Sequence, residues 1–317
     1  MQKEIYYTFD INNIKDKEFT KVFVDCPWEA IRNPTPIDES EHLQWLKDSN
    51  LFDCDQDAEN FFKDKTYIMS SYINPLNPKD NIIWVIRMHD FIYIVDDFYF
   101  EKGLLGEEWV INMFDRDAPQ DKIGKTFWNI IEGMEKTGNK KAVEQLLHDT
   151  KIWALSVFTY NKCNINSESS FEYYCKYRCL DVGMDFGLST AKVFAEPLPK
   201  EVLESSTYKR IIFGYNQTHS LINDMVSFER ERKESNRMAN YVMVHAYKTN
   251  SVQESMYHCK QMVEGVFNEI NVLCEQLKRE FPDVSNLDFH LNLIKLVISG
   301  DNYVSNDTTY PRYNLNH

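Results

Sequence analysis

The feature that most constrains the fold is a stripe of apolar side chains that recurs every three or four residues from Met256 to Leu277. Residues at this spacing lie along one side of an α-helix, so the stripe predicts a helix with one buried side. The intervening members of the stripe are Cys259, Val263, Val266, Ile270 and Leu273. Ser251-x-x-Glu254 precedes the stripe as a capping box, and Pro282 follows it. The predicted helix of about seven turns needs other elements to cover its apolar side.

Helical spacing recurs along most of the chain. It predicts helices over residues 41–52, 58–73, 82–101, 122–136 and 141–160, one that begins at the capping box Ser169-x-x-Glu172, and one from near Pro199 to about Glu234. The helix that begins at Ser169 is expected to falter near Gly183 and Gly187. With 10 Gly and 10 Pro in 317 residues, the chain has too few turn formers for a many-stranded sandwich or barrel. We therefore predict an all-α fold of about ten helices in a single domain, residues 1–317.

Charge and composition exclude several classes of function. The chain has 35 Lys and Arg against 49 Asp and Glu, and this net charge of −14 disfavours binding to nucleic acid. Hydrophobic residues make up 43% of the chain, which excludes a disordered protein. The longest apolar stretch, 82–95, is interrupted by Arg87, His89 and Asp90, so a membrane span is not predicted. The N-terminus lacks the apolar run of a signal peptide and the seven cysteines form an odd number, which predicts a cytoplasmic location.

A group of carboxylates follows the apolar stretch 82–95. Asp96 and Asp97 are adjacent, and Glu101 comes about one turn later. Carboxylates against apolar walls are unfavourable unless something pairs with them. Carboxylate oxygens suit Mg²⁺, which completes its shell with water and substrate phosphates. The pattern therefore predicts a cation site, with a solvated helix end as the alternative.

A second polar group lies in the long helix that is predicted to reach Glu234. Asn223, Ser227 and Glu231 are spaced i, i+4 and i+8, so all three point to one side of a helix. They offer an amide oxygen, a hydroxyl and a carboxylate, which together can bind a further Mg²⁺. A merely polar helix side remains the alternative interpretation.

The two motifs together resemble the metal-binding motifs of class I terpene synthases of the microbial type. The resemblance implies an α-helical bundle with a central active-site cavity and a carbon–oxygen lyase that ionises a prenyl diphosphate with Mg²⁺, three ions being expected when diphosphate is bound. The implied metal ligands are Asp96, Asp97, Glu101, Asn223, Ser227 and Glu231. The first motif ends in Glu at the fifth position after Asp96, where the plain form has Asp at the fourth. Asp96 is therefore the ligand predicted from this motif, and Asp97 and Glu101 stay open.

A further segment of the chain supports the resemblance. Arg178-Cys-Leu-Asp181-Val182-Gly183 is similar to the family's diphosphate-sensing Arg, its linker residue and its helix-break effector. The resemblance implies that Arg178 contacts the diphosphate, that Asp181 links it to the effector, and that a backbone carbonyl at the effector faces the substrate. Whether that carbonyl belongs to Val182 or Gly183 stays open.

Two more basic positions match the family's diphosphate contacts. Arg230, just before Glu231, lies where the family has a basic residue, and Arg312-Tyr313 resembles the Arg-Tyr pair that closes over the diphosphate. Guanidinium groups bind phosphate bidentately and keep their charge. We expect Arg178, Arg230 and Arg312 to converge only when substrate and metals are bound.

The resemblance also predicts an apolar, aromatic cavity that keeps the carbocation from water. The candidates for its lining are Phe61, Tyr72, Phe91 and Ile94. Residues 1–38 are expected to pack over the site, and residues 305–317 to close it. Farnesyl diphosphate is the expected substrate, because single-domain members of the family most often resemble sesquiterpene synthases.

Three alternatives remain at this point. One is a diterpene synthase that acts on geranylgeranyl diphosphate, and geranyl diphosphate is also open as a substrate. Another is an isoprenyl diphosphate synthase, although that family carries two aspartate-rich motifs and here the second site is Asn, Ser and Glu. The third is a non-catalytic helical protein that binds an isoprenoid, which would need no metal ligands. The product and the oligomeric state, for which a homodimer is left open, do not follow from the sequence.

Overall fold

α-Helices make up nearly all of the regular structure. The computed structural model describes residues 9–163, 165–234, 238 and 240–313, apart from the side chains of residues 161, 162, 234 and 313. Within these residues it has 14 α-helices and no β-strand, which confirms the predicted all-α fold. The helices are α1 (Glu39–Asp48), α2 (Asp55–Phe62), α3 (Thr66–Ile73), α4 (Lys79–Val95), α5 (Glu107–Met113), α6 (Lys122–Thr137), α7 (Lys140–Lys162), α8 (Phe171–Asp181), α9 (Met184–Lys192), α10 (Lys200–Glu204), α11 (Ser206–Glu234), α12 (Tyr241–Thr249), α13 (Val252–Glu280) and α14 (Leu287–Asn306).

The predicted apolar stripe lies on α13. The helix begins after Ser251, whose side chain accepts a hydrogen bond from the Glu254 backbone N–H at 3.2 Å. Met256, Cys259, Val263, Val266, Ile270 and Leu277 are all buried. They pack against α11, α12 and α14, so the long helix and its capping box are confirmed.

Two predicted helices are each divided into two. The stretch 58–73 is interrupted at Lys65, which has a left-handed backbone with φ of 53°. The helix expected to begin near Pro199 stops at Ser205, where the backbone is extended. The Ser205 hydroxyl accepts a hydrogen bond from the Tyr208 N–H at 3.1 Å, so it caps the start of α11. The cap of α8 is also one residue from its predicted position, because Ser170 and not Ser169 accepts the bond from the Tyr173 N–H.

Helix α4 continues into a π-helical turn, Asp96–Phe100. The Glu101 N–H donates to the Asp96 carbonyl at 3.0 Å, an i→i+5 bond that takes one more residue than an α-helical turn. In α4, Phe91 and Ile94 belong to a buried apolar cluster that also contains Ile130 and Ile131 of α6.

The break between α8 and α9 lies at Val182 and Gly183, which confirms the predicted break near Gly183, whereas Gly187 lies inside α9. Gly183 has φ of +74°, a conformation that L side chains rarely adopt. A Cβ at this position would lie 2.8 Å from Cδ1 of Trp153. Both the backbone and the indole therefore require glycine.

We expect Gly183→Ala to lower the free energy of unfolding by about 1–3 kcal/mol, because a left-handed alanine is strained and the indole must move. Thermal or urea unfolding followed by circular dichroism measures the change. Gly265→Ala is the matched control, since it lies on an exposed part of α13 with no atom within 4 Å of the added Cβ. The free energy of unfolding of this control should rise by about 0.5–1 kcal/mol. Equal stabilities of the two variants would contradict the requirement for glycine at position 183.

The N-terminal segment runs along α13 in its described part. Asp16 pairs through its backbone with Asn250 and Val252, Lys260 contacts Asp25 at 2.6 Å, and Trp28 donates to Asn271 at 3.3 Å. None of residues 9–38 is among the residues that line the candidate active-site cavity described below, and residues 1–8 lie outside the described residues. The packing of residues 1–38 over the site stays a prediction. No helix in the described part of the chain is both long enough and apolar enough to cross a bilayer.

Candidate active site

A cavity of about 580 Å³ opens between α4, the α8–α9 break, α11 and the C-terminal segment. Its apolar wall includes Met69, Ile92, Tyr93, Trp153, Tyr160 and Phe186. Its polar part includes the first predicted motif, Asn223 and Glu231 of the second, and all three predicted arginines. The volume is within the range of small-molecule sites, about 300–1,000 Å³. The cavity is therefore the candidate active site.

The first motif forms a compact acidic cluster. Asp96, Asp97 and Glu101 each offer a carboxylate oxygen, and these oxygens lie within 4.8 Å of one another. The π-helical turn accounts for the grouping, because five residues then complete about one turn and bring Glu101 back beside Asp96. The two ligands that the sequence left open thus lie with Asp96.

The electrostatics of the cluster favour a bound cation. Burial raises the pKa of Asp96 well above its ordinary value. The nearby carboxylates of Asp97 and Asp181 raise this pKa further, whereas the Arg312 guanidinium lowers it. Clustered carboxylate oxygens are the donor set that Mg²⁺ takes. The residues present therefore fit a divalent hard cation.

The second motif lies on α11. Asn223 and Glu231 line the cavity, whereas Ser227 is buried and is not among the residues of its wall. The Ser227 hydroxyl donates to the Asn223 backbone carbonyl at 2.6 Å. The side-chain amide of Asn240 donates to Glu231 at 3.0 Å and to the Asp224 backbone carbonyl at 2.8 Å, which fixes the end of the motif. The motif and the acidic cluster thus line the same cavity.

Arg178 is the centre of a buried polar network. Its guanidinium donates to Asp181 at 2.6 Å, to the Asn223 side chain at 2.6 Å and, through Nε, to Asp224 at 3.1 Å. Burial by itself lowers the pKa of Arg178, but Asp224 and the other nearby acidic groups raise it well above its ordinary value. The arginine therefore stays charged and holds one conformation.

Asp224 is a buried member of this network that sequence reasoning did not select. It is fully buried, and it accepts hydrogen bonds from the Tyr174 hydroxyl and, at 2.5 Å, from the Tyr241 N–H. Burial raises the pKa of Asp224 to about 6, although Arg178 and these hydrogen bonds oppose the shift. The only signal in the sequence was that Asp224 follows Asn223. Adjacent residues on a helix point about 100° apart, so the spacing of the motif did not include Asp224.

Arg312 holds the C-terminal segment at the cavity. Its guanidinium makes two hydrogen bonds to Asp97, at 2.9 and 3.1 Å, and lies 4.4 Å from the centre of the Tyr93 ring. Arg230 also lines the cavity. Tyr313 ends the short 3₁₀ turn Pro311–Tyr313, and its side chain lies outside the described residues.

The three predicted arginines all line one cavity. Arg178 is bound by Asp181 and Asp224, and Arg312 by Asp97. Their convergence on binding of substrate and metals stays a prediction.

The four side chains predicted to line the apolar part of the cavity do not line it. Phe61, Phe91 and Ile94 are buried in the core cluster on the other side of α4, and Tyr72 packs against Tyr303 with ring centres 4.9 Å apart. The cavity side of α4 is formed instead by His89, Ile92 and Tyr93, and Asp96 of the following π-helical turn continues it at helical spacing. Since α4 is apolar on nearly every side, its sequence does not indicate which side faces the cavity.

The helix break also reaches the cavity. Val182 and Gly183 both line it, together with Asp181. The Gly183 carbonyl accepts a hydrogen bond from the Gly187 N–H at 3.1 Å, as the first bond of α9. Two further polar residues of the wall, His219 and Asp301, were not predicted.

Comparisons with known proteins agree on one family. A family model described as terpene synthase family 2, C-terminal metal binding, matches residues 87–269. Terpene synthase 7 of Dictyostelium purpureum is 35% identical over 99% of this chain and 97% of its own length. Terpene synthase 8 of the same organism is 36% identical over 99% of this chain and 96% of its own length. A solved structure, linalool/nerolidol synthase from Streptomyces clavuligerus in complex with 2-fluorogeranyl diphosphate, shares the fold with a TM-score of 0.73 at 15% identity, covering 90% of this chain and 98% of that chain.

Proposed function

Because the chain belongs to the terpene synthase family, an enzyme family of lyases, we propose that it ionises farnesyl diphosphate with Mg²⁺ and cyclises the resulting carbocation to a sesquiterpene. One observation carries the proposal. The acidic cluster, the α11 motif and three arginines share a single cavity whose remaining wall is largely apolar and aromatic.

In this proposal two groups of residues would hold the metal ions. Asp96, Asp97 and Glu101 would hold Mg²⁺ at the end of α4, and Asn223, Ser227 and Glu231 would hold a further Mg²⁺ at α11. Mg²⁺ bound there would supply positive charge opposite the leaving diphosphate. The close carboxylates support this role, because like charges within 4.8 Å are unfavourable without a cation between them.

The arginines orient the diphosphate. We assign this role to Arg178, Arg230 and Arg312, with Tyr313 as a further contact. A guanidinium is suited to it because its planar donors match phosphate oxygens and its charge is permanent. In the structure Arg178 and Arg312 are bound to carboxylates, and we propose that the diphosphate takes over part of these contacts when substrate binds.

The apolar wall holds the isoprenoid chain away from water. Tyr93, Trp153, Tyr160 and Phe186 line the cavity, and the faces of aromatic rings can stabilise a passing cation. We place the effector carbonyl at Val182, because the Gly183 carbonyl is already engaged by the N–H of Gly187. Asp181 connects this segment to Arg178 through a 2.6 Å ion pair.

Purified protein incubated with farnesyl diphosphate and MgCl₂ should release diphosphate together with a volatile hydrocarbon, and EDTA should abolish both. Gas chromatography of the headspace and a coupled diphosphate assay measure the two products. Parallel incubations with geranyl and geranylgeranyl diphosphate test the chain length. A faster reaction with either compound would identify that compound, and not farnesyl diphosphate, as the substrate. Elongation of the prenyl diphosphate by added isopentenyl diphosphate would instead identify an isoprenyl diphosphate synthase. If no prenyl substrate led to release of diphosphate, the proposed function would be contradicted.

We also propose a cytoplasmic location for the enzyme. All seven cysteines are free thiols, and four of them are buried, which suits a reducing compartment. Fluorescence of a tagged chain in its own cells tests this.

A further inference from the structure

One carboxylate in the cavity wall has no part in the proposed ionisation. Asp301 lies on α14 and lines the cavity. The other acids of the wall, within the described residues, belong to the two metal motifs or bind Arg178, and they are Asp96, Asp97, Glu101, Asp181 and Glu231. The printed partner of Asp301 is not a lysine or arginine but His219 of α11, whose Nδ1 lies 2.6 Å from Oδ2 of Asp301. Asp301 is therefore an acid of the cavity without an assigned role.

The carboxylate of Asp301 has one oxygen that the cavity can reach. A carboxylate only accepts hydrogen bonds, so Nδ1 of His219 donates to Oδ2 and fixes the orientation of the group. Oδ1 accepts no hydrogen bond from the described residues, yet it is not one of their buried unpaired atoms. The side chain of Asp301 keeps 12% of its surface accessible, against 1% for His219. The acceptor that a bound molecule can contact is thus the carboxylate, and the imidazole supports it from behind.

The surroundings of Asp301 on α14 indicate that its accessible surface faces the cavity. Tyr303 comes two residues later, about 200° around the helix, and is 53% exposed. Gly300 packs closely on α3, where an added Cβ would lie 2.3 Å from the Tyr72 carbonyl oxygen. Ser305, one turn after Asp301, lines the cavity as well. Asp301 therefore points inward, on the side of α14 that forms the cavity wall.

The contact with α11 places this carboxylate away from the metal ligands. His219 lies four residues before Asn223, which is about 6 Å further from Glu231 along the helix axis. Asp301 is also not a member of the acidic cluster at the end of α4. In the proposed function the diphosphate lies at the metal ligands and the isoprenoid chain extends from it into the cavity. The carboxylate of Asp301 would then lie beside the chain.

We propose that Asp301 is the base that removes the proton that ends the carbocation reaction. The inference rests on the proposed function, because it needs a carbocation in this cavity. A lone pair of Oδ1 forms a bond to a hydrogen on a carbon next to the cationic carbon. The electron pair of the broken C–H bond becomes the new C=C bond of the product. The neutral carboxylic acid returns the proton to water after the product leaves.

The test compares Asp301→Asn, Asp301→Glu and the control Asp288→Asn with the wild type. Asn keeps the shape of the side chain and loses its charge, whereas Glu keeps the carboxylate and adds one methylene. Asp288 lies in the first turn of the same helix with an exposed side chain, so its variant removes the same charge from the surface. Diphosphate release and product composition are measured separately on the substrate that the wild type uses best.

Asp301→Asn should release diphosphate at a rate close to that of the wild type. Its ratio of main olefin to all other products should fall at least about tenfold, because a positioned base contributes about 10²–10⁴ to a proton transfer. In Asp301→Glu the ratio should fall less, and the lost part should appear as isomeric olefins, since the base is present but its oxygen is displaced. Asp288→Asn should match the wild type in both measurements.

The opposite order of the two Asp301 variants, with Asn closer to the wild type than Glu, would assign Asp301 a role in shape alone and overturn the proposal. If Asp301→Asn does not fold by circular dichroism, Asp301→Glu tests the proposal by itself. Alcohols in place of the lost olefin in that variant would overturn it. An alcohol as the sole wild-type product would overturn it too, since no proton is then removed from carbon.

A second measurement separates a base from a further metal ligand. Mg²⁺ with diphosphate should raise the unfolding temperature of Asp301→Asn as much as that of the wild type, because a ligand stabilises the state that binds it and Asp301 does not bind this one. A smaller increase in the variant would place Asp301 in the metal site and overturn the proposed role. Failure of the proposed function is distinct, because the wild type would then release no diphosphate from any prenyl substrate.

Discussion

Asp96→Asn should lower turnover by about a hundredfold to a thousandfold, or more, and at the same time raise the stability of the metal-free protein. The rate falls because a charged Mg²⁺ ligand is lost, and removal of one group that stabilises transition-state charge lowers rates by about 10²–10³. The stability rises because three carboxylates with oxygens within 4.8 Å repel one another, and the amide removes one of the charges. Turnover with farnesyl diphosphate and thermal unfolding with and without MgCl₂ measure the two effects.

Asp80→Asn is the matched control for this variant. Asp80 lies in the first turn of the same helix, is exposed, and loses the same charge. Its turnover should equal that of the wild type. Mg²⁺ with diphosphate should raise the unfolding temperature of the wild type and of the control but not of Asp96→Asn, because a ligand stabilises only the state that binds it. Normal activity of the Asp96→Asn enzyme would show that Asp96 is not a metal ligand.

Arg178→Lys should lower turnover at least about a hundredfold, although the positive charge is kept. The guanidinium binds Asp181, Asn223 and Asp224 through different nitrogens, and a single ammonium cannot reproduce this arrangement. In the proposed function this arrangement aims the guanidinium at the diphosphate. A hydrogen bond to a charged group contributes about 1.5–3 kcal/mol, and 1.4 kcal/mol of lost transition-state stabilisation is about a factor of ten in rate. We therefore expect kcat to fall more than the affinity for substrate. Steady-state kinetics of diphosphate release measures both.

Arg210→Lys provides the control on the same helix. Arg210 also binds a carboxylate through two nitrogens, at 2.7 and 3.2 Å from Glu269, but this pair is exposed. Exposed pairs contribute about 0–1 kcal/mol, so both activity and stability should stay unchanged. Circular dichroism shows whether Arg178→Lys is folded. If its kcat is the same as that of Arg210→Lys, Arg178 does not act on the diphosphate.

The polar half of the site could be predicted from the sequence because its residues follow helical spacing. Asn223 and Glu231 are two turns apart on α11, and both line the cavity as expected. The acidic cluster also followed from local sequence, since Asp96 and Asp97 stand at the end of an apolar helix. Local spacing does not report which side of α4 is free of neighbours, and so Phe91 and Ile94 were assigned to the cavity although they lie in the core.

Contacts between distant helices were outside the reach of the sequence pattern. The pairing of His219 with Asp301 joins α11 to α14, and no motif connects the two positions. Asp224 was overlooked for a different reason. It follows Asn223 directly, and a buried carboxylate that binds Arg178 has the same appearance in a sequence as a solvated one.

Because of the π-helical turn at Asp96–Phe100, the number of residues between two acidic side chains does not by itself decide whether they point the same way. In a regular α-helix the fifth residue after Asp96 would point about 140° away from it. The wider turn returns Glu101 to the same side, so one inserted residue leaves the acidic group intact. Sequence patterns that demand an acid at one fixed interval will therefore overlook chains of this kind, and a pattern that tolerates either interval would recover them. An insertion or deletion of one residue within this turn would then keep the acidic group together. One form of the motif could change into the other during evolution by such a step.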